Sequence, residues 1–256
     1  MENGSMKKIF DIGMFDGADT AYYLESGFQV IAVEANPDLI ASAQRRFSAP
    51  LASGQLVCVN AAVSTSEGPV ELNLCGDDLG SSSVISERIA DRRPIGAITV
   101  PGVTIHQLFD QYGLPEYLKV DIEGADRQCI LPLTSDHRPN FLSFEVGEDA
   151  DELIAHVGAI GYRRFKIINQ ISFRELAQQW CLYDRITHRL MRHLGYQDPK
   201  FVRRAGRFFP TGHSSGPVPW RSEGQWQSAE ATRARLLEAK ESGKLSGWYD
   251  VHAALN

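Results

Sequence analysis

Over the first two thirds of the chain, short apolar runs rich in β-branched residues alternate with helix-like patterns, and this alternation constrains the fold more than any other feature. When each strand is followed by a helix that carries the chain back across the sheet, successive strands run parallel. Strands are predicted at Lys8–Ile12, Gln29–Val33, Gln55–Val59, Tyr117–Asp121, Phe141–Glu145 and Arg163–Ile168, with an extra strand at Val70–Leu74. Helices are predicted at Ala18–Ser26, Asn36–Phe47, Thr104–Gln111, Gly124–Ile130 and Ala150–Ala159. Asn36-Pro37 is an N-cap followed by proline at the first helical position, which is where each is favoured.

The pattern changes after Asn169. Ser172-Phe173-Arg174-Glu175 has the form of a capping box, so a long helix is predicted from Phe173 to about Leu194. Gly206–Trp226 is rich in Gly, Pro and Ser and reads as one long loop of the kind that forms lids. A helix at Ala229–Glu241 and an aromatic tail, Trp248-Tyr249-Asp250, close the chain. Three parts follow: residues 1–5 as an appended remnant before the second methionine, 6–169 as the core, and 170–256 as a helical and loop cap.

A hydrophobic content of 43% and a charged content of 23% exclude disorder and coiled coil. No apolar run approaches the ~18–20 residues that span a bilayer, and Met1–Phe10 lacks the apolar centre of a secretory signal, so a cytoplasmic location is expected. Cys58, Cys75, Cys129 and Cys181 form no CxxC pair and read as reduced core thiols. The net charge of −6 argues against nucleic acid, and no membrane partner is expected either. One segment departs from the overall balance: Arg185, Arg189, Arg192, Lys200, Arg203, Arg204 and Arg207 stand against Asp198 alone. A solvated face explains it, and a basic lid over an anionic substrate is the sharper reading.

The chemistry concentrates where the predicted strands end. Asp11-Ile12-Gly13-Met14-Phe15-Asp16-Gly17 is a glycine turn after a strand, but its glycine spacing is not that of a dinucleotide fingerprint. Asp11 would repel a pyrophosphate and attract a ligand carrying an ammonium and a sulfonium. Glu34 follows about 20 residues later, where a carboxylate can accept both ribose hydroxyls. Asn60-Ala61-Ala62 could read an adenine edge. In Lys119-Val120-Asp121-Ile122-Glu123 the three charged residues alternate, so on a strand they share one face at the ligand-binding edge. Glu145 ends a neighbouring strand at the same edge. Asp121, Glu123 and Glu145 could act as base and orienting groups, or jointly bind a divalent ion through oxygen ligands, although the spacing matches no dedicated metal motif. Ser82, within Ser81-Ser82-Ser83, could contact a cofactor carboxylate, and His213 is a candidate base in the glycine-rich loop.

Asp11-Ile12-Gly13 with Asp16-Gly17, Glu34-Ala35-Asn36-Pro37, Asn60-Ala61-Ala62-Val63 with Gly68, and above all Lys119-Val120-Asp121-Ile122-Glu123-Gly124-Ala125-Asp126 resemble the FkbM family of methyltransferases. The resemblance covers about Phe10–Phe165. Met14-Phe15-Asp16, Ala35 and Asp126 depart from the family's usual pattern. It implies a Rossmann-like class I methyltransferase fold with a mainly parallel central sheet and a C-terminal helical and loop cap. It implies S-adenosyl-L-methionine as cofactor, held by Asp11, Gly13, Asp16, Gly17, Glu34, Asn60, Ala61, Ser82 and Asp121. The expected activity is O-methylation of a small-molecule or sugar-containing acceptor, one bearing phosphate or carboxylate if the basic segment faces it. Lys119, Asp121, Glu123, Glu145 and His213 are the candidates for catalysis. An NAD-dependent oxidoreductase and a non-catalytic nucleotide-binding module remain the alternatives.

Overall fold

The computed structural model describes residues 6–76, 82–85, 94–176, 200–243, 245 and 247–256. The remnant expected at residues 1–5, Ser81, Cys181 and most of the helix expected over 173–194 lie outside the described residues. The chain divides into two compact units, Met1–Gly147 and Glu148–Asn256.

In the first unit, β1 (Lys8–Ile12), α1 (Ala18–Glu25), β2 (Gln29–Glu34), α2 (Pro37–Arg46), α3 (Ser48–Ala52) and β3 (Leu56–Asn60) follow the predicted alternation. After β4 (Ala62–Val63), β5 (Gly68–Cys75) and β6 (Pro94–Val103) come α4 (Ile105–Tyr112), β7 (Tyr117–Val120), α5 (Arg127–Ile130) and β8 (Phe141–Glu145). The central strands lie in the order β3-β2-β1-β7-β8 and every pair is parallel. The order reverses between β1 and β7, and the crevice at the carboxyl ends beside such a reversal is where open α/β sheets hold ligands. Phe10, Tyr23 and Tyr117 are fully buried, with Tyr23 edge-on to Tyr117 at 5.9 Å. A separate sheet runs β4-β6-β5, with β5 and β6 antiparallel, and buries Ala62, Leu72 and Val100. β6 was not predicted: its Pro94, Gly96, Pro101 and Gly102 mask the strand pattern, and its ten residues are mostly exposed or half-buried.

The second unit contains α6 (Ala150–Ala159), β9 (Arg164–Asn169), β10 (Phe201–Arg204), β11 (Arg207–Pro210), α7 (Ala229–Glu241) and β12 (Tyr249–Ala254). Here the structure corrects the sequence reading. The aromatic tail is the start of β12, which pairs antiparallel with β9 along its whole length and is buried throughout. β9 falls in this second unit, which begins at Glu148, whereas the sequence reading divides the chain at 169/170. Gly206 is not the start of a loop but the turn of a hairpin, at φ 81°, between β10 and β11. Ser214 to Pro219 are buried within this unit, so the stretch is packed chain rather than a loose lid.

The capping box at Ser172 does not form. The Asn169 carboxamide oxygen takes the N–H groups of Ile171 and Ser172 at 3.0 and 2.8 Å and the Ser172 hydroxyl at 3.2 Å. A side chain that satisfies the next backbone donors offers an alternative to helix. Phe173 accordingly sits at φ 53°, and Glu175 bridges back to Ile168. Cys58, Cys75 and Cys129 are free thiols, and among the described residues no helix is long and apolar enough to cross a membrane.

Asn169→Ala removes these acceptors from a residue that is only 4% exposed. It should lower unfolding free energy by about 1–3 kcal/mol, the cost of leaving buried donors unpaired. Urea titration against the parent chain measures it.

Candidate functional site

The carboxyl ends of β1 and β7 are joined by one buried charge cluster. The Lys119 ammonium donates to the Gly13 carbonyl at 2.9 Å and lies 3.1 Å from Asp11, 3.7 Å from Asp19 and 3.7 Å from Asp121. Asp11 also accepts from the Thr20 hydroxyl at 2.6 Å. Burial alone would pull the Lys119 ammonium down, but Asp11, Asp121 and Asp19 together hold it well above the usual lysine range. Asp11 is therefore not aimed at a ligand as expected: it is wholly buried and committed to Lys119 and Thr20. Lys119 likewise belongs to the wall behind the site.

Gly13 is required for a reason different from the one expected of it. It sits at φ 79°, and a Cβ there would lie 1.8 Å from the Asp121 carbonyl oxygen, so the backbones of β1 and β7 can meet only at a glycine. Its N–H and that of Met14 both go to the Val33 carbonyl, at 2.9 and 3.1 Å. Asp16 and Gly17, expected as cofactor ligands, serve the helix instead. Asp16 accepts from the Ala18 N–H at 2.9 Å, and Gly17 leaves room for the Phe47 ring, which a Cβ would meet at 2.7 Å.

Glu34 lies at the end of β2 and faces the cleft, as predicted. One carboxylate oxygen takes the Phe15 N–H at 3.0 Å and the other the Asn36 N–H at 2.8 Å. Burial raises its pKa, and these hydrogen bonds oppose the rise. Each oxygen keeps a lone pair for a further donor, such as a ribose hydroxyl. The Asn60 amide is used differently from the expectation: it donates to the Glu34 and Ala35 carbonyls at 3.0 and 2.9 Å, fixing the turn rather than reading a base.

Beyond β7 the chain turns sharply, with Glu123 at φ 51°. Two contacts hold that turn. The Ser83 hydroxyl donates to the Glu123 carbonyl at 3.0 Å, and Asp126 accepts from the Ile122 N–H at 3.0 Å and the Glu145 N–H at 2.8 Å. Asp126 was not among the predicted site residues, although it lies within the motif that carries the resemblance, and Ser83 was named only as part of the Ser81-Ser82-Ser83 run. Burial, then repulsion from Asp121, pushes the Asp126 carboxyl up to about 6 against these hydrogen bonds. Burial raises Asp121 as well, with Lys119 opposing it.

These elements enclose a solvent-open cleft of about 550 Å³. Gly13, Phe15, Glu34, Asp121 and Glu123 form its polar side, with Ser82 and Ser83, while Ala61, Ala62, Val63, Leu72 and Val84 form an apolar sleeve. Of the predicted residues, Gly13, Glu34, Ala61, Ser82, Asp121 and Glu123 thus come together, and Asp11, Asp16, Gly17, Asn60, Lys119 and Glu145 do not line the cleft. His213 belongs to the second unit, where it is exposed. Among the described residues no group of three or more His, Cys, Asp or Glu could hold a metal ion. A cleft lined by carboxylates and by apolar side chains suits a cationic ligand carrying a flat, weakly polar ring system.

The model of the methyltransferase FkbM domain matches residues 11–197. No curated protein matches the chain. Among solved structures it is similar to precorrin-6y C5,15-methyltransferase from Geobacter metallireducens GS-15, at 13% identity over 65% of this chain and 68% of that one, with a TM-score of 0.37. It is also similar to an S-adenosylmethionine-dependent methyltransferase from Thiobacillus denitrificans, in complex with S-adenosyl-L-homocysteine, at 10% identity over 98% and 84%, with a TM-score of 0.35. Likenesses this distant carry no argument about the site.

The raised Asp126 pKa has a signed consequence. Between about pH 4 and 6 the folded state holds the Asp126 proton more tightly than the unfolded chain does, so stability falls as pH rises through that window, by up to about 3 kcal/mol. Asp126→Asn removes the titration. The difference in urea unfolding free energy between the two proteins should change across that window and be flat above it.

Proposed function

The chain belongs to the FkbM methyltransferase family, and from that premise we propose that it methylates a hydroxyl oxygen of a small-molecule or sugar-containing metabolite. Its methyl donor is S-adenosylmethionine. The residues of the cleft fit that group: Glu34 is suited to its ribose hydroxyls, the sleeve from Ala61 to Val63 with Leu72 and Val84 to its adenine, and Asp121 with Glu123 to its cationic amino-acid end. When bound it supplies a methyl group made electrophilic by an adjacent sulfonium.

The observation that carries the oxygen-acceptor reading is Asp121. Its carboxylate lines the cleft, keeps 30% of its side-chain surface exposed, and is raised by burial toward the range of a useful base. A hydroxyl that attacks carbon must lose its proton, and in this reading Asp121 receives it as the new carbon–oxygen bond forms and the carbon–sulfur bond breaks. The Lys119 ammonium 3.7 Å away opposes that rise and so favours the ionised form from which the transfer starts. The turn held by Ser83 and Asp126 fixes where Asp121 and Glu123 stand, and such positioning supplies much of the rate in a bimolecular transfer.

Two variants test the reading. Glu34→Gln keeps an acceptor for one of its two backbone partners, and should weaken S-adenosylhomocysteine binding by about 1.5–3 kcal/mol on calorimetric titration. Asp121→Asn should lower turnover on the true acceptor by about a hundredfold or more, far more than it lowers that affinity, measured as transfer of a labelled methyl across a panel of hydroxylated metabolites. Full turnover in Asp121→Asn removes it as the base, and a labelled product methylated on nitrogen overturns the oxygen assignment.

A further inference from the structure

The hairpin of β10 and β11 reverses the usual arrangement of a surface strand pair. Val202 faces Phe209 across the ladder, and Phe209 is buried against the Phe173 ring at 5.6 Å, which anchors one face of the hairpin within its own unit. Strand alternation then sends Phe201, Arg203, Phe208 and Pro210 to the opposite face. Phe201 is 60% exposed and Phe208 70%, the two most exposed large apolar side chains among the described residues. Trp248, itself 52% exposed, lies beside Gly212 at the base of the hairpin, where a Cβ on Gly212 would be 3.5 Å from its indole.

Along the hairpin itself the charge is of one sign. Lys200, Arg203, Arg204 and Arg207 lie in or beside the hairpin, and no acidic residue occurs from Lys200 to Thr211, in a chain whose net charge is −6. The Arg203 guanidinium sits 6.0 Å from the centre of the Phe208 ring, so a cation and an apolar ring are presented together. We propose that this hairpin docks on an anionic lipid surface, with Phe201 and Phe208 entering the headgroup layer and Lys200 and Arg203 meeting the phosphates.

Geometry favours a bilayer over a polynucleotide. The strands are four residues long, about 13 Å, too short to track a run of phosphates. A long polyanion would also meet the acidic remainder of the chain, whereas a hairpin tip touching a flat surface feels mainly the charges within a screening length of about 8–10 Å. Apolar rings with flanking cations are the combination that interfacial binding rewards. The expectation of no membrane partner rested on the lack of a spanning segment, which does not bear on contact by one hairpin.

The test is co-sedimentation of the full chain with vesicles of two parts phosphatidylcholine to one part phosphatidylglycerol, against vesicles of phosphatidylcholine alone. The chain should sediment with the anionic vesicles only, and less so as salt is raised. Phe201→Ser with Phe208→Ser, and separately Lys200→Glu with Arg203→Glu, should each lower the bound fraction about tenfold. Both pairs are exposed and should leave the melting temperature unchanged. The proposal is overturned if the parent chain does not sediment with anionic vesicles or if the variants sediment as it does. It is equally overturned if the same substitutions abolish binding to a single-stranded oligonucleotide, or dissociate a dimer, while vesicle binding is absent.

Discussion

The buried ammonium of Lys119 is the interaction on which the first unit's site depends. It lies among Asp11, Asp19, Asp121 and the Gly13 carbonyl, and so ties β1, α1 and β7 together at the carboxyl edge of the sheet. Three carboxylates around one ammonium leave the cluster with an excess of negative charge, and taking it out of water is costly unless the geometry is well satisfied. The hydroxyl of Thr20 and the Gly13 carbonyl supply part of that satisfaction. The remaining negative charge is not wasted, because Asp121 carries it to the cleft wall, where a cationic ligand can complete the balance.

The same economy recurs around the cleft. Glu34 both closes the turn after β1, through Phe15, and opens α2, through Asn36, while still presenting a carboxylate to the cavity. Gly13 lets β1 and β7 approach closely enough for its carbonyl to reach Lys119. Asp126 bonds two backbone donors from the ends of β7 and β8 and is kept ionised at some cost to stability, which is the pattern expected where a turn must be held in one position. Site and scaffold are thus built from the same few side chains, and a substitution at Glu34 or Asp126 changes both.

That sharing explains which parts of the site could be read from the sequence. The parallel alternation was legible because every strand from β1 to β8 in the central sheet is bounded by helix or turn signals, and the Lys119–Asp126 motif brought Asp121 and Glu123 to the edge where the cleft lies. Side-chain allegiance was not legible. Asp11, Asp16 and Asn60 have the residue types and spacing of ligands, yet Asp11 turns to Lys119, Asp16 to the Ala18 N–H, and Asn60 to the Glu34 and Ala35 carbonyls. Spacing along the chain sets which strand end a residue occupies. The competition between a ligand and a nearby backbone donor or acceptor is decided only in three dimensions. Ser83 shows the converse: a serine in a polar run carries no signal until the chain brings it to the Glu123 carbonyl.

The second unit was harder to read because its strands do not look like strands. β12 carries Asp250 and His252 at positions that are fully buried, where apolar residues are the norm. They are tolerated because Asp250 accepts from the Gln170 amide at 2.8 Å and His252 shares a hydrogen bond with the Ser222 hydroxyl at 3.1 Å. Burial, then the nearby Lys166 ammonium, pushes His252 well below the usual imidazole range, so it is neutral where β9 and β12 pair. Lys166 in turn donates to the Ser222 carbonyl at 2.7 Å and lies 4.1 Å over the Trp226 ring. Ser222 and Trp226 come from the stretch that reads as a loop by its glycines and prolines. They instead cover the polar side chains of β9 and β12, and this gives a physical reason for Ser214 to Pro219 to be buried nearby rather than free to close over a ligand.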